Sequence, residues 1–339
     1  MRAAVVEAMG RPPAPADVPD PQRRRGEALV RISAAALNPV ELHIWNGHFF
    51  DGPPRPPYVI GLEGVGVVEE GERLARGTRV RVEFVHPGYG RDGAVAEYAL
   101  APEEPEASDR ASQASVTPIG DELDDTAVAA LGVPVFTALM CLERAQRAGA
   151  SIDSGHVLVT GATGAVGGIA IQLAKLMGAA RVVAAGRNPE RLEHALALGA
   201  DATVELADGL SAAELRDRFT GAAGGRLDVV LDPLWGDPAR GAIDALTHDG
   251  VYVSFGQAAS AVAELSGIPM RNRRVTLVGH SGAWATPQER QAALARAHGL
   301  AKRGGQRLAL DTEELGLGEI GDAWERLAGS AGRRLVVRP

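Results

Sequence analysis

Residues 157–175 constrain this chain more than any other stretch, because they read as a buried strand, a glycine-rich turn and a helix in immediate succession. In that order the three parts form a dinucleotide-binding turn. Gly164 and Gly167 remove side chains where backbone must approach a pyrophosphate and where the helix must pack on the strand. The N–H groups that open the helix then face the anion. Thr163, Gly164, Ala165, Val166 and Gly167 are the residues expected to hold the phosphates. Ile169, Leu173, Leu176 and Met177 follow at helical spacing and give the helix a core-facing stripe. The plain alternative for the glycines is a tight strand-to-helix turn with no ligand.

The next strand bears on the choice of cofactor. Residues 181–188 end about twenty residues beyond the glycines, where an NAD-binding chain places an Asp or Glu for the ribose 2′-hydroxyl. No acid stands there. The strand ends in Gly186 and Arg187, with Arg191 one turn further on, so a 2′-phosphate meets a guanidinium. One charge-assisted hydrogen bond contributes about 1.5–3 kcal/mol, on the order of 10–100-fold in affinity. NADPH is therefore the expected cofactor. The competing reading makes Arg187 a solvated residue of an arginine-rich chain.

That richness is general: the 35 basic residues are 33 arginines with Lys175 and Lys302. With a net charge of −8, no nucleic-acid surface is expected, since sequence-independent binding relies on clustered positive charge. Arg23, Arg24 and Arg25 read as a solvated turn beside a proline-rich loop. Cys141 has no second cysteine to pair with and lies in an apolar run, where it reads as a small buried hydrophobe. No run approaches the roughly 20 apolar residues needed to cross a bilayer, and the chain opens directly on an apolar strand rather than a leader. A cytoplasmic protein without membrane contact is expected.

At about 100–200 residues per domain, 339 residues imply two domains. The first is rich in strand signals at Ala3–Val6, Ala28–Ser33, Gly64–Glu69 and Arg79–Phe84, punctuated by Gly and Pro as in a compact barrel. From Asp121 the texture changes. Asp124 or Asp125 caps a helix running through Leu142, after which strands and helices alternate at Val157, Leu176, Val182, Leu192, Val229, Ile243, Val251 and Val275. Such alternation implies an α/β fold with a doubly wound parallel sheet. A helix from Pro287 to Arg303 follows. The tail Arg334–Arg338 is a strand with no sheet of its own nearby, and it is expected to return to the first domain. The expected division is residues 1–120 with 283–339, and 121–282.

The segments Ala36–Glu41, Gly61–Gly66, Gly77–Val80, Ala162–Gly167 with Gln172 and Lys175, and Leu198–Asp201 resemble the zinc-free branch of the medium-chain dehydrogenase/reductase superfamily, the quinone oxidoreductase and enoyl reductase group. The resemblance implies a GroES-like catalytic domain beside a Rossmann domain, with the active site in the cleft between them. It also implies a homodimer joined edge to edge through Arg274–Gly279. It adds Phe255, Gly256, Gln257, His280 and Arg334 to the residues expected at the cofactor, His280 alternatively being a surface histidine at a strand end. Where zinc-dependent relatives carry the first cysteine ligand this chain has Asn38, and where they carry Gly-His-Glu it has Gly61-Leu62-Glu63. The third ligand position falls near Gly132. With one cysteine, neither family zinc site can be assembled, so no metal is expected. His43, His48, Asp51 and Glu63 read as solvated loop residues.

Without a Lewis acid, the accessible chemistry is hydride transfer from a nicotinamide to an already activated acceptor, a quinone or an α,β-unsaturated carbonyl. Asn38 is the first candidate for organising nicotinamide and substrate and Thr137 the second, although Asn before Pro is also an ordinary turn residue. Some enoyl thioester reductases of the group place a proton-donating tyrosine where this chain has Phe49. With Trp45 and Phe50, Phe49 forms either an apolar wall for a planar substrate or a small core under its loop. No Gly-x-Ser-x-Gly elbow is present. Two rival functions stay open: a metal-independent carbonyl or alcohol oxidoreductase, and a non-catalytic NADPH-binding protein.

Overall fold

The computed structural model describes residues 1–48, 52–104, 113–329 and 332–339. These fall into two compact units: residues 1–133, 285–289 and 309–339, and residues 134–284 with 290–308. The division thus lies at Val133 and Pro134 rather than at residue 120, and most of the helix Pro287–Arg303 groups with the second unit, where Arg296 pairs with Glu143 at 2.8 Å.

The first unit is built on β1 (Arg2–Val6), β2 (Ala14–Asp17), β3 (Glu27–Ala36), α1 (Pro39–Trp45), β4 (Tyr58–Val59), β5 (Glu63–Glu70), β6 (Arg79–Glu83), β7 (Tyr98–Pro102), β8 (Ser115–Pro118) and α2 (Asp125–Ala130). Its long strands are antiparallel, β3 pairing with β5 and β7, and β5 with β6. Alternating valines and alanines of these strands, among them Val30, Val68, Val80 and Val82, point into one core. Asp124 caps α2 by accepting from the Ala127 N–H at 2.7 Å.

A single helix through Leu142 is not what forms. The chain breaks at Leu131 and restarts as α3 (Gly132–Arg147). Pro134 has no N–H to donate to the Ala130 carbonyl, so the ladder cannot continue. That carbonyl instead accepts from Arg334 Nε at 3.3 Å.

The second unit alternates as expected: β9 (His156–Val159), α4 (Ala165–Leu176), β10 (Arg181–Gly186), α5 (Pro189–Ala197), β11 (Ala202–Glu205), α6 (Ala212–Ala222), β12 (Val229–Asp232), α7 (Gly236–Ala245), β13 (Val251–Ser254), α8 (Gly267–Arg273), β14 (Thr276–Gly279) and α9 (Pro287–Arg303). The strands form one parallel sheet in the order β11-β10-β9-β12-β13-β14, the doubly wound arrangement whose order reverses on either side of β9. Its edge strand begins at Thr276 and not at Arg274, because Arg274 takes a left-handed φ of 54° to end α8. Cys141 is buried, and burial pushes its thiol pKa up.

The chain then returns to the first unit through β15 (Thr312–Gly316), α10 (Ile320–Ala328) and β16 (Arg334–Arg338). β16 does have a neighbour of its own, β15, with which it pairs in parallel; its other edge joins β3, Val336 opposite Ala36. Leu335 and Val337 complete the core of the first unit together with Trp324. Among the described residues, no helix is long and apolar enough to cross a membrane.

Candidate functional site

In the second unit the glycine turn leaves the carboxyl end of β9, beside the point where the strand order reverses. Gly161 has a φ of 59°, and a Cβ there would lie 2.7 Å from the Pro233 ring. At Gly167 a Cβ would come within 2.4 Å of the Gly161 carbonyl oxygen, so only glycine lets α4 start this close to the turn. Gly164 is exposed and caps α4 without a side chain. The N–H groups of Ala165, Val166 and Gly167 have no intrahelical acceptors, which is the geometry that accommodates a phosphate.

Thr163 abuts the end of β10, where a Cβ on Gly186 would stand 2.7 Å from its methyl group. Arg187 is exposed directly after Gly186. Asn188 caps α5 by accepting the Arg191 N–H at 3.1 Å, holding Arg191 in the first turn. One acid was missed: Glu205, exposed on β11, lies in register with Gly186 across the strand pair. It is invisible to a search along one strand because it arrives from the neighbouring one.

On the other side of the turn, the Phe255 N–H donates to the Asp232 carbonyl at 2.9 Å, and a Cβ at Gly256 would touch the Pro233 carbonyl oxygen at 2.6 Å. Gly256 and Gln257 are exposed. Asp232 itself is fully buried; its carboxylate accepts from Thr160 Oγ1, from the Tyr252 hydroxyl and, at 2.8 Å, from the Trp235 N–H. The segment after β14 lies against α3, since a Cβ at Gly282 would be 2.9 Å from the Phe136 ring and 3.6 Å from Thr137 Oγ1. The His280 N–H donates to Ser254 at 2.8 Å. Burial, with Arg144 and Arg147 nearby, lowers the His280 pKa to about 4, so its imidazole is neutral.

The first unit holds Asn38 in a buried polar cluster. Its side-chain amide donates to the Ala36 carbonyl and to Glu63 Oε1, both at 3.2 Å. Glu63 is not a solvated loop residue; it is 0% exposed on β5. Its Oε1 also accepts from Arg334, and its Oε2 accepts the Val133 N–H at 2.8 Å where α3 begins. A Cβ at Gly132 would be 1.7 Å from Glu63 Oε2. Thus carboxylate and side chain cannot both occupy that place. Burial raises the Glu63 pKa, opposed by Arg334 and Arg81.

Arg334 is buried, with its guanidinium committed to Glu63 and to the carbonyls of Leu37 and Ala130. It is therefore placed with Asn38 and Glu63, a setting its assignment to the cofactor set did not anticipate. Glu41, missed as a site residue, joins the same cluster. Its two oxygens accept the N–H groups of Asn38 and Gly61, each at 3.0 Å, and burial raises its pKa to about 7. The spacing Asn38-Pro-Val-Glu41 is a capping-box signature that could have marked it.

Trp45 takes the core reading. Its indole N–H donates to the Arg11 carbonyl at 2.7 Å, and its ring meets Trp324 edge-on at 6.0 Å. Phe49 and Phe50 lie outside the described residues.

Residues 24–107 match the alcohol dehydrogenase GroES-like domain, and residues 165–298 match the family described as zinc-binding dehydrogenase. An alcohol dehydrogenase of Rhizobium meliloti is 34% identical over 262 residues, covering 69% of this chain and 71% of that protein. A quinone oxidoreductase of Lama guanicoe is 36% identical over 183 residues, 52% of this chain and 49% of that protein. Among solved structures, the quinone oxidoreductase of Thermus thermophilus, determined also with NADPH, superposes with a TM-score of 0.77 at 28% identity over 100% of both chains. That of Pseudomonas syringae has the same fold, with a TM-score of 0.81 at 23% identity over 100% of this chain and 99% of that one. The chain accordingly belongs to the medium-chain dehydrogenase/reductase family, in its quinone oxidoreductase branch.

Proposed function

We propose that the chain is an NADPH-dependent, zinc-free reductase that delivers hydride to a quinone or an α,β-unsaturated carbonyl. The glycine cradle from Thr163 to Gly167 fits a pyrophosphate, and Arg187 with Arg191 stands where a 2′-phosphate needs a cation. A bound nicotinamide supplies the hydride. The residues of this chain hold it: the glycine turn at the phosphates, Phe255–Gln257 and His280 at the strand ends. Asn38 and Thr137 are assigned to orient the reacting groups.

The absence of zinc from this reading rests on one observation, the Glu63 carboxylate lying where any side chain at Gly132 would have to be. Asn38 and Leu62 replace two ligands of the zinc enzymes, and Glu63 is already neutralised by the Arg334 guanidinium, which repels a divalent cation. An acceptor must then disperse its own developing charge, as quinones and enones do and simple ketones do not. The final proton is assigned to solvent. A homodimer formed through the β14 edge and a cytoplasmic location complete the proposal.

Purified protein, NADPH and a panel of quinones, enones, enoyl thioesters and simple secondary alcohols test it. Turnover is expected with conjugated acceptors. Oxidation of simple alcohols with NADP⁺, with every conjugated acceptor ignored, would refute the proposal.

A further inference from the structure

Glu63 reaches toward both of the residues assigned to the reacting groups. Its Oε1 accepts from the Asn38 side-chain amide at 3.2 Å, and its Oε2 accepts the Val133 N–H at 2.8 Å. Val133 lies in the first turn of α3, and Thr137 follows four residues later, one turn along the same helix. The carboxylate is itself tightly held. β5 pairs Glu63 with Ala36 on one side and with Glu83 on the other, Arg334 donates to Oε1, and the side chain is fully buried. Oε2 has room only because residue 132 is glycine, where a Cβ would lie 1.7 Å from that oxygen.

Glu63 also decides what Asn38 can offer. A side-chain amide has two N–H donors and one oxygen. The Asn38 nitrogen meets the Ala36 carbonyl and Glu63 Oε1, each at 3.2 Å, and both are acceptors, so the amide cannot turn over without setting oxygen against oxygen. Both donors are therefore used, and only the Oδ1 acceptor is left for a ligand. We propose that Glu63 is a positioning residue for hydride transfer: one oxygen fixes the Asn38 amide in its accepting orientation, and the other fixes the turn of α3 that leads to Thr137. The inference rests on the reading in which Asn38 and Thr137 orient the reacting groups. Only a carboxylate performs both tasks at once, because glutamine has a single accepting oxygen and must turn its N–H groups toward either Asn38 or Val133. A misplacement of about 1 Å at the reacting groups is enough to cost about 100-fold in rate.

Turnover of 1,4-naphthoquinone with NADPH, calorimetric NADPH binding and urea unfolding of the same proteins test the idea. Glu63→Gln is expected to lower kcat by about 10–100-fold, while its NADPH dissociation constant stays within about twofold of wild type. Glu63→Gln combined with Arg334→Leu removes the guanidinium left without its partner; it should keep the same loss of kcat, which separates that loss from unfolding. In a chain already carrying Asn38→Ala and Thr137→Ala, the further change Glu63→Gln should cost less than about twofold, because the residues it acts through are gone. A residue that only supports the fold gives the same factor in both backgrounds. Equal factors, an undiminished kcat in Glu63→Gln, or a loss confined to NADPH affinity overturns the inference. Wild-type kcat in the chain with Asn38→Ala and Thr137→Ala overturns the assignment of those two residues instead, a result read before Glu63 is changed.

Discussion

Arg334 of the last strand donates to Glu63 of β5 across 271 residues of sequence, and both side chains are almost completely buried. The pair joins the C-terminal tail to the start of α3, because Glu63 also accepts the Val133 N–H. Removing one member of a buried pair leaves the other charge uncompensated, at a cost of about 3–5 kcal/mol. Arg334→Leu should therefore lower the unfolding free energy obtained from urea denaturation by that amount. A double change, Arg334→Leu with Glu63→Gln, should recover part of it. A single variant as stable as wild type would remove the pair from the account of stability.

Glu41 makes stability depend on pH near neutrality. Burial raises its pKa from 4.5 to about 7, while the Asn38 and Gly61 N–H groups and Arg334 pull it down and Glu63 pushes it up. The folded state binds this proton more tightly than the unfolded state, so the contribution is fully present below the unfolded pKa and is lost as pH rises through about 7. At 1.36 kcal/mol per unit the window spans roughly 3 kcal/mol. The stability advantage of wild type over Glu41→Gln should therefore shrink between pH 5 and pH 8, as unfolding free energies of the two proteins at those pH values read. His280, whose pKa burial lowers to about 4, acts with the opposite sign in both proteins and cancels from that comparison. An unchanged slope in Glu41→Gln would assign the effect elsewhere.

Which parts were legible in the sequence follows from the range of the interactions involved. The glycine turn, the strand ending at Gly186 and the parallel sheet are local patterns, and the residues carrying them are contiguous. The break at Leu131 was also written locally, in Pro134, but the apolar run from Ala127 to Leu142 masked it. The Asn38–Glu63–Arg334 cluster was not legible, because it exists only when β16 pairs with β3 and brings Arg334 beneath Asn38's turn. The conformation of Trp235 leaves no trace in composition or periodicity; its N–H is held by Asp232 at the end of β12, whose carboxylate Tyr252 of the neighbouring β13 also binds.

Metal content offers a third test. Elemental analysis should find no stoichiometric zinc in protein purified without chelator, and a chelator should leave turnover intact. Gly132→Cys restores a thiol at the third ligand position without making a zinc site. Its Cβ collides with Glu63, so the variant should lose stability and still contain no zinc. One equivalent of zinc in wild type, with chelator-sensitive activity, would refute the assignment.

The proposed reading puts cofactor preference at the end of β10. Arg187 follows Gly186 directly, Arg191 opens α5, and Glu205 stands across the strand pair in register with Gly186. A 2′-phosphate gains charge-assisted hydrogen bonds from the guanidiniums, about 1.5–3 kcal/mol for each. A ribose 2′-hydroxyl gains little from them, and on this reading Glu205 would be its acceptor. Arg187→Glu removes the attraction and adds repulsion, and should weaken NADPH by about 10–100-fold while leaving NADH nearly unchanged. Glu205→Gln works the other way, removing a carboxylate that repels the phosphate, and should strengthen NADPH. Calorimetric binding of both cofactors to the two variants reads this directly. Wild-type protein that binds NADH as tightly as NADPH would show that Glu205, and not Arg187, governs the corner.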